Sequence, residues 1–391
     1  MSPSIASMSS NWNYPTSVRF GAGRVAEVAD ACAEINITHA LWVTDPVLAG
    51  LEITTDAIEQ ARAKGLQVTL FSDVRPNPVG SNVSDGVDVY RQAGCDGVVA
   101  FGGGSALDAA KAIALMVGQR RPLWDFEDVG DWYTRVDVSG MCPCVAVPTT
   151  SGTGSEVGRA SVIVDEQARK KKIIFHPLML PARVVADPAL TTGLPAHVTA
   201  ATGMDALSHN LEALCSPLFH PMAEGIAMEG IRLVRESLLD AYRDGQDIAA
   251  RSMMMASSAM GATAFQKGLG GMHALGHPIG AWLNAHHGRT IAVVMPYVLR
   301  FNESAVADKL ARCAAYIGLE DASYGGFVQW VLELRETLGI AHTLDTLGVT
   351  EDLIVGLAAE AAIDPSASTN PLPLDSKACE QLLRAGLSGV V

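Results

Sequence analysis

The chain is short of basic residues. It carries 28 Lys and Arg against 42 Asp and Glu, a formal net charge of −14. Such a surface favours solubility and argues against a nucleic-acid partner, because phosphate binding needs a basic face. The one basic run, Arg169 to Lys172, is brief and passes at once into apolar Ile173, Ile174 and Phe175. Long uninterrupted apolar runs are also missing, so no membrane span is expected. The first ten residues, MSPSIASMSS, lack a charged segment followed by an apolar one. They read as a loose tail and not as a secretory signal. Cysteine is sparse and odd in number, seven in all, and Cys142 and Cys144 are separated by a single residue, which is not a CxxC redox pair. That usage fits a reducing cytoplasm.

What is present is apolar residue, 49% of the chain against 18% charged, the composition of a well-buried globular protein. At 391 residues the chain exceeds one typical core, and two domains are expected. From Val18 to about Pro188 short β-rich runs alternate with helical stretches. ALWVTD (40–45), QVTLFSDV (67–74), DGVVAFGGG (96–104), PCVAVPTT (143–150) and ARVVAD (182–187) read as strands. RASVIVD (159–165) and KKIIFH (171–176) read as a hairpin, and ALDAAKAIALMV (106–117) as a helix. After Pro188 the strand signal fades, and 222–240, 247–265, 303–317, 323–338 and 376–387 have helical periodicity. The expectation is an α/β domain at 1–188 with a Rossmann-like parallel sheet, followed by an all-α domain at 189–391.

Two loops bear on a nucleotide. FGGGSALDAAK (101–111) joins a strand to a helix through glycines. Such a turn lets a phosphate approach the backbone amides and the positive end of the helix dipole. It is neither GxGxxG nor a Walker loop, and a tight turn without chemistry is the competing reading. PTTSGTGSE (148–156) is rich in hydroxyls and follows another strand. It is either a cofactor loop or a polar surface loop. Two such loops after two parallel strands point to a dinucleotide at the strand ends. Asp45 closes the ALWVTD run, where a carboxylate accepts from a ribose and repels a 2′-phosphate, favouring NAD over NADP. An exposed loop aspartate reads equally well.

The second half concentrates histidine. MHALGHPIGAWLNAHHGR (272–289) holds four of the ten: His273, His277, His286 and His287. Upstream, Asp205 and His209 are four apart, on one face of a helix. A carboxylate and an imidazole so spaced can chelate a divalent metal, although surface helices contain such pairs by chance. His273 and His277 share that spacing, but Pro278 follows and weakens the shared-face argument. His286 and His287 are adjacent, so at most one joins a compact site. One Asp with two or three His suits Fe²⁺ or Zn²⁺, with an open position for a substrate oxygen.

Taken together, YPTSVRFGAGR, VTDPVL, PNPV, GGGSALDAAKAIA, PTTSGTGSEV, DPALT, GMDALSHNLEA, HALGHPIGAWLNAHHG and TNPLPL occur in one order from about Tyr14 to the C-terminus. In this the chain resembles the iron-containing (group III) alcohol dehydrogenases, relatives of glycerol dehydrogenase and dehydroquinate synthase. The resemblance implies Asp205, His209, His273 and His287 as metal ligands and His277 as a proton carrier. His286 stands where the family commonly has proline and is left out. It implies Gly102, Gly103, Gly104 and Ser105 around the pyrophosphate, and Thr149, Thr150, Thr153 and Lys171 along the cofactor. Asp45 matches the acid that makes relatives prefer NAD. The implied reaction is hydride transfer between an alcohol and NAD⁺ in a cleft between the domains, with the substrate oxygen on Fe²⁺ or Zn²⁺, in a cytoplasmic dimer or larger homo-oligomer.

Two departures touch the substrate. AFQKGLGGM stands before His273 where many members have an apolar stretch, and Leu372 stands where the family often shows arginine. Lys267, helped by Arg159, is therefore a candidate to hold a polar or anionic substrate tail, against the alternative of a structural salt bridge. Two other activities stay in view: a lyase of the dehydroquinate synthase type, and a metal-free reductase like maleylacetate reductase. The chain shows little of the basic cluster the first needs, and its Asp and His set argues against the second.

Overall fold

The structure, a computed structural model, describes residues 10–12, 15–168 and 170–391. The N-terminal tail up to residue 9, Tyr14 and Arg169 of the basic run lie outside the described residues. The chain divides into two compact units, Met1–Thr150 with Gly154–Gly193, and Ser151–Thr153 with Leu194–Val391. The three loop residues Ser151–Thr153 thus pack with the helical unit although the chain around them belongs to the first.

The described residues of the first unit form nine strands: β1 (Ser10–Trp12), β2 (Ser17–Phe20), β3 (His39–Val43), β4 (Gln67–Phe71), β5 (Gly97–Gly102), β6 (Cys144–Pro148), β7 (Ala160–Asp165), β8 (Lys170–Phe175) and β9 (Arg183–Ala186). Seven form one sheet in the order β1-β2-β9-β6-β5-β3-β4, parallel except for β1 at its edge. β7 and β8 pair separately as the expected antiparallel hairpin. Every residue of β5 and β6 is buried, which is why both runs are apolar throughout instead of alternating. The chain passes from β3 outward to β4 and returns across β3 to β5 and β6, so strand order reverses between β3 and β5. At such a reversal the loops after the strands part and leave a crevice at their C-terminal ends.

The second unit is helical, with no strand among its described residues. Its long helices are Ala196–Cys215, Pro221–Arg243, Ile248–Ala264, Gly271–Leu283, His287–Phe301, Glu303–Tyr316 and Tyr324–Thr337. Ile354–Ala362 and Ser376–Ser388 follow. Local chemistry sets several ends. The His220 ring and the carboxylates of Asp247 and Asp375 each accept a backbone N–H from the first turn they precede, and Pro221 opens its helix. Leu207, Leu211, Ile231, Val234, Ile291 and Val331 meet in one buried core.

Candidate functional site

In the first unit, the C-terminal ends of β3, β5 and β6 are aligned, Val43 lying opposite Ala100 and Gly102 opposite Pro148. Gly102 has φ 149, and a Cβ there would stand 2.7 Å from that of Ala106, so only glycine makes this turn. The helix Gly104–Met116 starts on Gly103 with no side-chain cap, leaving its first amides for a ligand. The second loop closes against the first: Thr149 N–H donates to Gly102 O at 2.9 Å, and Thr150 packs beside Gly103. Ser105 uses its hydroxyl on the Pro76 carbonyl of the PNPV loop. What remains of its expected phosphate role is the backbone N–H.

Asp45 does not close a strand, because β3 ends at Val43. Its Oδ1 instead caps the short helix Pro46–Ala49, accepting from Val47 N–H at 2.9 Å and Leu48 N–H at 3.0 Å. Lys171 lies half-buried on β8 opposite Val164. Thr153 falls in the second unit, apart from Thr149 and Thr150 in the first.

The second unit gathers the histidines. Ligand atoms of Asp205, His273 and His287 all lie within 4.8 Å of one another. His287 Nε2 is 3.5 Å from Asp205 Oδ1, His209 Nε2 is 4.0 Å from that same oxygen, and His209 Nε2 is 3.0 Å from His273 Nε2. Asp205 Oδ1 is buried and accepts no hydrogen bond. Asp205 and His209 reach the site because the helix Ala196–Cys215 runs unbroken through both. His287 reaches it because Gly288 lets its helix lie on Ala196–Cys215; a Cβ at 288 would collide with the Ala201 carbonyl.

His277 shares the helix of His273, its ring centroid 5.7 Å away and 5.8 Å from that of His287. The helix passes through Pro278, so the proline does not part the pair. Packing of Gly276 on Ile291 offsets the lost backbone bond. His286 stays outside the cluster and caps the next helix, accepting from Arg289 N–H at 3.4 Å.

Three of the rings are oriented from behind. His209 Nδ1 faces the Gly152 carbonyl at 3.2 Å, and His273 Nδ1 faces Glu212 Oε2 at 2.6 Å. Both partners only accept, so both Nδ1 atoms carry the proton and both Nε2 atoms turn toward the site. Burial pushes the His209 imidazole down to about 4. Burial also opposes charge on His273, but the Glu212, Asp205 and Asp364 carboxylates, Glu212 foremost, together outweigh it and raise this imidazole above its ordinary value. His277 Nδ1 lies 2.8 Å from Asp364 Oδ2. Burial works against charge on Asp364, yet the His277 ring and the Ser366 N–H hold it below the usual carboxylate range. Glu212 and Asp364 were not singled out in the sequence. Glu212 had a local signal, three residues beyond His209 on the same helix; Asp364, 87 positions from its partner, had none.

The expectation for Lys267 is corrected. The residue is 1% exposed, and its ammonium donates to the carbonyls of Ala213 (3.0 Å), Leu214 (3.2 Å) and Ser216 (2.6 Å) while pairing with Glu224 at 3.0 Å. It seals the C-terminus of the helix that carries Asp205, with no donor left for a substrate. Arg159, in the first unit, is exposed, its guanidinium 5.9 Å from the Phe175 ring centroid.

Comparison with known proteins agrees with this architecture. Residues 15–188 match the model for iron-containing alcohol dehydrogenase, and residues 199–387 the C-terminal model of the same family. The chain is 40% identical over 368 residues to 4-hydroxybutyrate dehydrogenase of Cupriavidus necator, covering 92% of this chain and 94% of that one. It superposes on the crystal structure of a 1,3-propanediol oxidoreductase with a TM-score of 0.90 at 32% identity, over 97% of this chain and 99% of the other. A sulfoacetaldehyde reductase from Bifidobacterium kashiwanohense, solved with NAD⁺, gives 0.87 at 28% identity, over 96% and 99%. No helix among the described residues is long and apolar enough to cross a membrane. The chain belongs to the iron-containing alcohol dehydrogenase family.

Proposed function

We propose that the chain is a metal-dependent, NAD-linked oxidoreductase that interconverts a small alcohol and its aldehyde or ketone. The observation that carries this reading is the Asp205, His273 and His287 cluster, closed within 4.8 Å around a buried carboxylate oxygen without a hydrogen bond. A buried carboxylate oxygen left in this state is costly unless a cation meets it. The Nε2 atoms of His209 and His273 lie 3.0 Å apart, close enough for one cation to be held by both. The donor set therefore fits a divalent ion held by Asp205, His209, His273 and His287, Fe²⁺ in the first place and Zn²⁺ as the alternative.

Such an ion supplies Lewis acidity that lowers the pKa of a substrate hydroxyl, and NAD supplies the hydride acceptor. The chain supplies the rest. His277, fixed through Nδ1 by Asp364, keeps Nε2 to take up or return the hydroxyl proton. In the first unit, the amides at Gly103, Gly104 and Ser105, beside the turn at Gly102, would hold the pyrophosphate, and Thr149, Thr150 and Lys171 would line the cofactor. Asp45 Oδ1 stays on its helix, and its other oxygen would accept from a ribose hydroxyl. This favours NAD over NADP. The reading places the enzyme in the cytoplasm as a homo-oligomer, which light scattering after size exclusion tests.

The test is NADH formation by metal-stripped protein reconstituted anaerobically with Fe²⁺ or Zn²⁺. The alcohols are 4-hydroxybutyrate and 1,3-propanediol, with sulfoacetaldehyde offered alongside NADH. Metal-dependent turnover of any of them is the expected result. Binding of metal and NAD without net NADH change on any alcohol or aldehyde overturns the reading in favour of a lyase.

A further inference from the structure

Glu212 lies on the helix that carries Asp205 and His209, and it is 4% exposed. Its two oxygens have separate partners. Oε2 accepts from His273 Nδ1 at 2.6 Å, and Oε1 accepts from Met272 N–H at 2.6 Å. The second bond matters because the helix Gly271–Leu283 begins on Gly270, which has no side chain to cap it. The first-turn amides are capped from elsewhere in the fold: Met272 by Glu212, and Gly271 by Asn370 Oδ1 at 3.0 Å. Asn370 is held in turn by Asn302 through bonds of 2.9 and 2.8 Å.

We propose that Glu212 is a positioning residue for the metal centre: it fixes the tautomer of His273 and the start of the helix that presents it, and so controls metal affinity without being a ligand. The inference rests on the metal reading above. A carboxylate behind a ligating imidazole holds the proton on the far nitrogen, orients the ring and raises its basicity as a ligand. A negative group at a helix N-terminus is favoured as well. One carboxylate does both because it has two accepting oxygens. Glutamine has one. In Glu212→Gln either His273 Nδ1–H or Met272 N–H faces an amide NH₂. The ring then shifts its proton to Nε2, removing the ligand atom, or the helix start moves.

Asn370 separates the two roles. It caps the same first turn but makes no hydrogen bond to a histidine of the cluster, so Asn370→Ala disturbs the helix start and the Asn302 pairing without touching a ligand ring. The experiment measures Co²⁺ affinity of metal-stripped protein by chelator competition, together with the visible spectrum of the Co²⁺ form. It compares the native chain, Glu212→Gln, Asn370→Ala and Asp205→Ala. The expected result is a loss of about 10–100-fold in affinity for Glu212→Gln, an altered Co²⁺ spectrum, and at most a few-fold loss for Asn370→Ala. Native affinity in Glu212→Gln overturns the proposal, as does an equal loss in both variants, which would make helix capping the whole effect. Native affinity in Asp205→Ala places the ion elsewhere and overturns the metal reading itself. A readout free of any Glu212 variant is the ¹⁵N histidine spectrum of the native Zn²⁺ form, with His273 assigned by His273→Ala. A proton on Nδ1 and metal on Nε2 are expected, and the reverse overturns the proposal.

Discussion

The helix Ala196–Cys215 ends on a buried cation, whereas the helix Gly271–Leu283 begins on a buried anion. Lys267 meets three carbonyls at the first end, and Glu212, with Asn370, meets the amides at the second. Each sign matches the partial charge of the helix end it faces, and each charge is paired, by Glu224 in one case and His273 in the other. The difference is what lies beyond. Lys267 has its donors consumed by structure, so its charge is spent within the fold. Glu212 passes its charge to a ring that faces the candidate metal. Glu156 in the first unit shows the contrast. It is buried, and burial pushes its carboxyl up to about 7 against the pull of its own backbone N–H and the Lys111 charge. A buried charge with full pairing stabilises the local structure; one without it stays partly protonated.

The largest effect is expected at Asp205. Asp205→Ala should lower kcat/KM at least about a thousandfold and abolish stoichiometric metal. The metal-free variant should melt no lower than the metal-free native chain, since a buried unbonded oxygen is removed. Steady-state NADH formation, metal analysis and calorimetry check this; a large drop in melting temperature would make Asp205 structural. Next comes the His277 and Asp364 pair. His277→Ala should cost about 10²–10⁴ in kcat and Asp364→Asn less, both with native metal content. Loss of metal in either would move His277 into the ligand set.

Lys267→Met reverses the pattern. Removing the ammonium takes a donor from the Ala213 and Ser216 carbonyls, while Glu224 and Leu214 O keep Lys309, and should cost about 1–3 kcal/mol, read as a lowered denaturation midpoint. KM for 4-hydroxybutyrate should be unchanged. A KM raised for acids but not for neutral alcohols would return Lys267 to the substrate. The smallest effect is at Glu156. Its folded pKa lies above the unfolded value, so the native state holds a proton that the unfolded chain releases. Stability from this group is full below about pH 4.5 and falls as pH rises toward about 7. Glu156→Gln should therefore stabilise the protein at pH 8 and not at pH 4. Equal melting shifts at both values would sink this account.

Sequence patterns located most of the strands because parallel strands buried on both faces leave apolar runs, as GVVAFG in β5 does. The helices Gly80–Ala93, Gly271–Leu283, His287–Phe301 and Ile354–Ala362 were not marked. Each carries Gly or Pro inside, which lowers local helix propensity. Packing explains their survival: Gly86 lies on Ile113, Gly276 on Ile291 and Gly356 on Trp282, contacts that a larger residue would break. The same limit applied to the site. Asp205 and His209 were legible through helical spacing, and the resemblance supplied His273 and His287. Glu212 and Asp364 are defined by what they touch across the fold.

Composition, periodicity and motif order by themselves determined the α/β half, the helical half, the glycine turn and the histidine-rich segment, because those depend on local propensity and on which residues avoid water. Only the tertiary structure decided which of the adjacent His286 and His287 enters the cluster, that Lys267 caps a helix instead of reaching for substrate, and that one carboxylate orients His273. Each of those outcomes is a competition for a few hydrogen-bond partners, and the competitors come together only when distant segments pack.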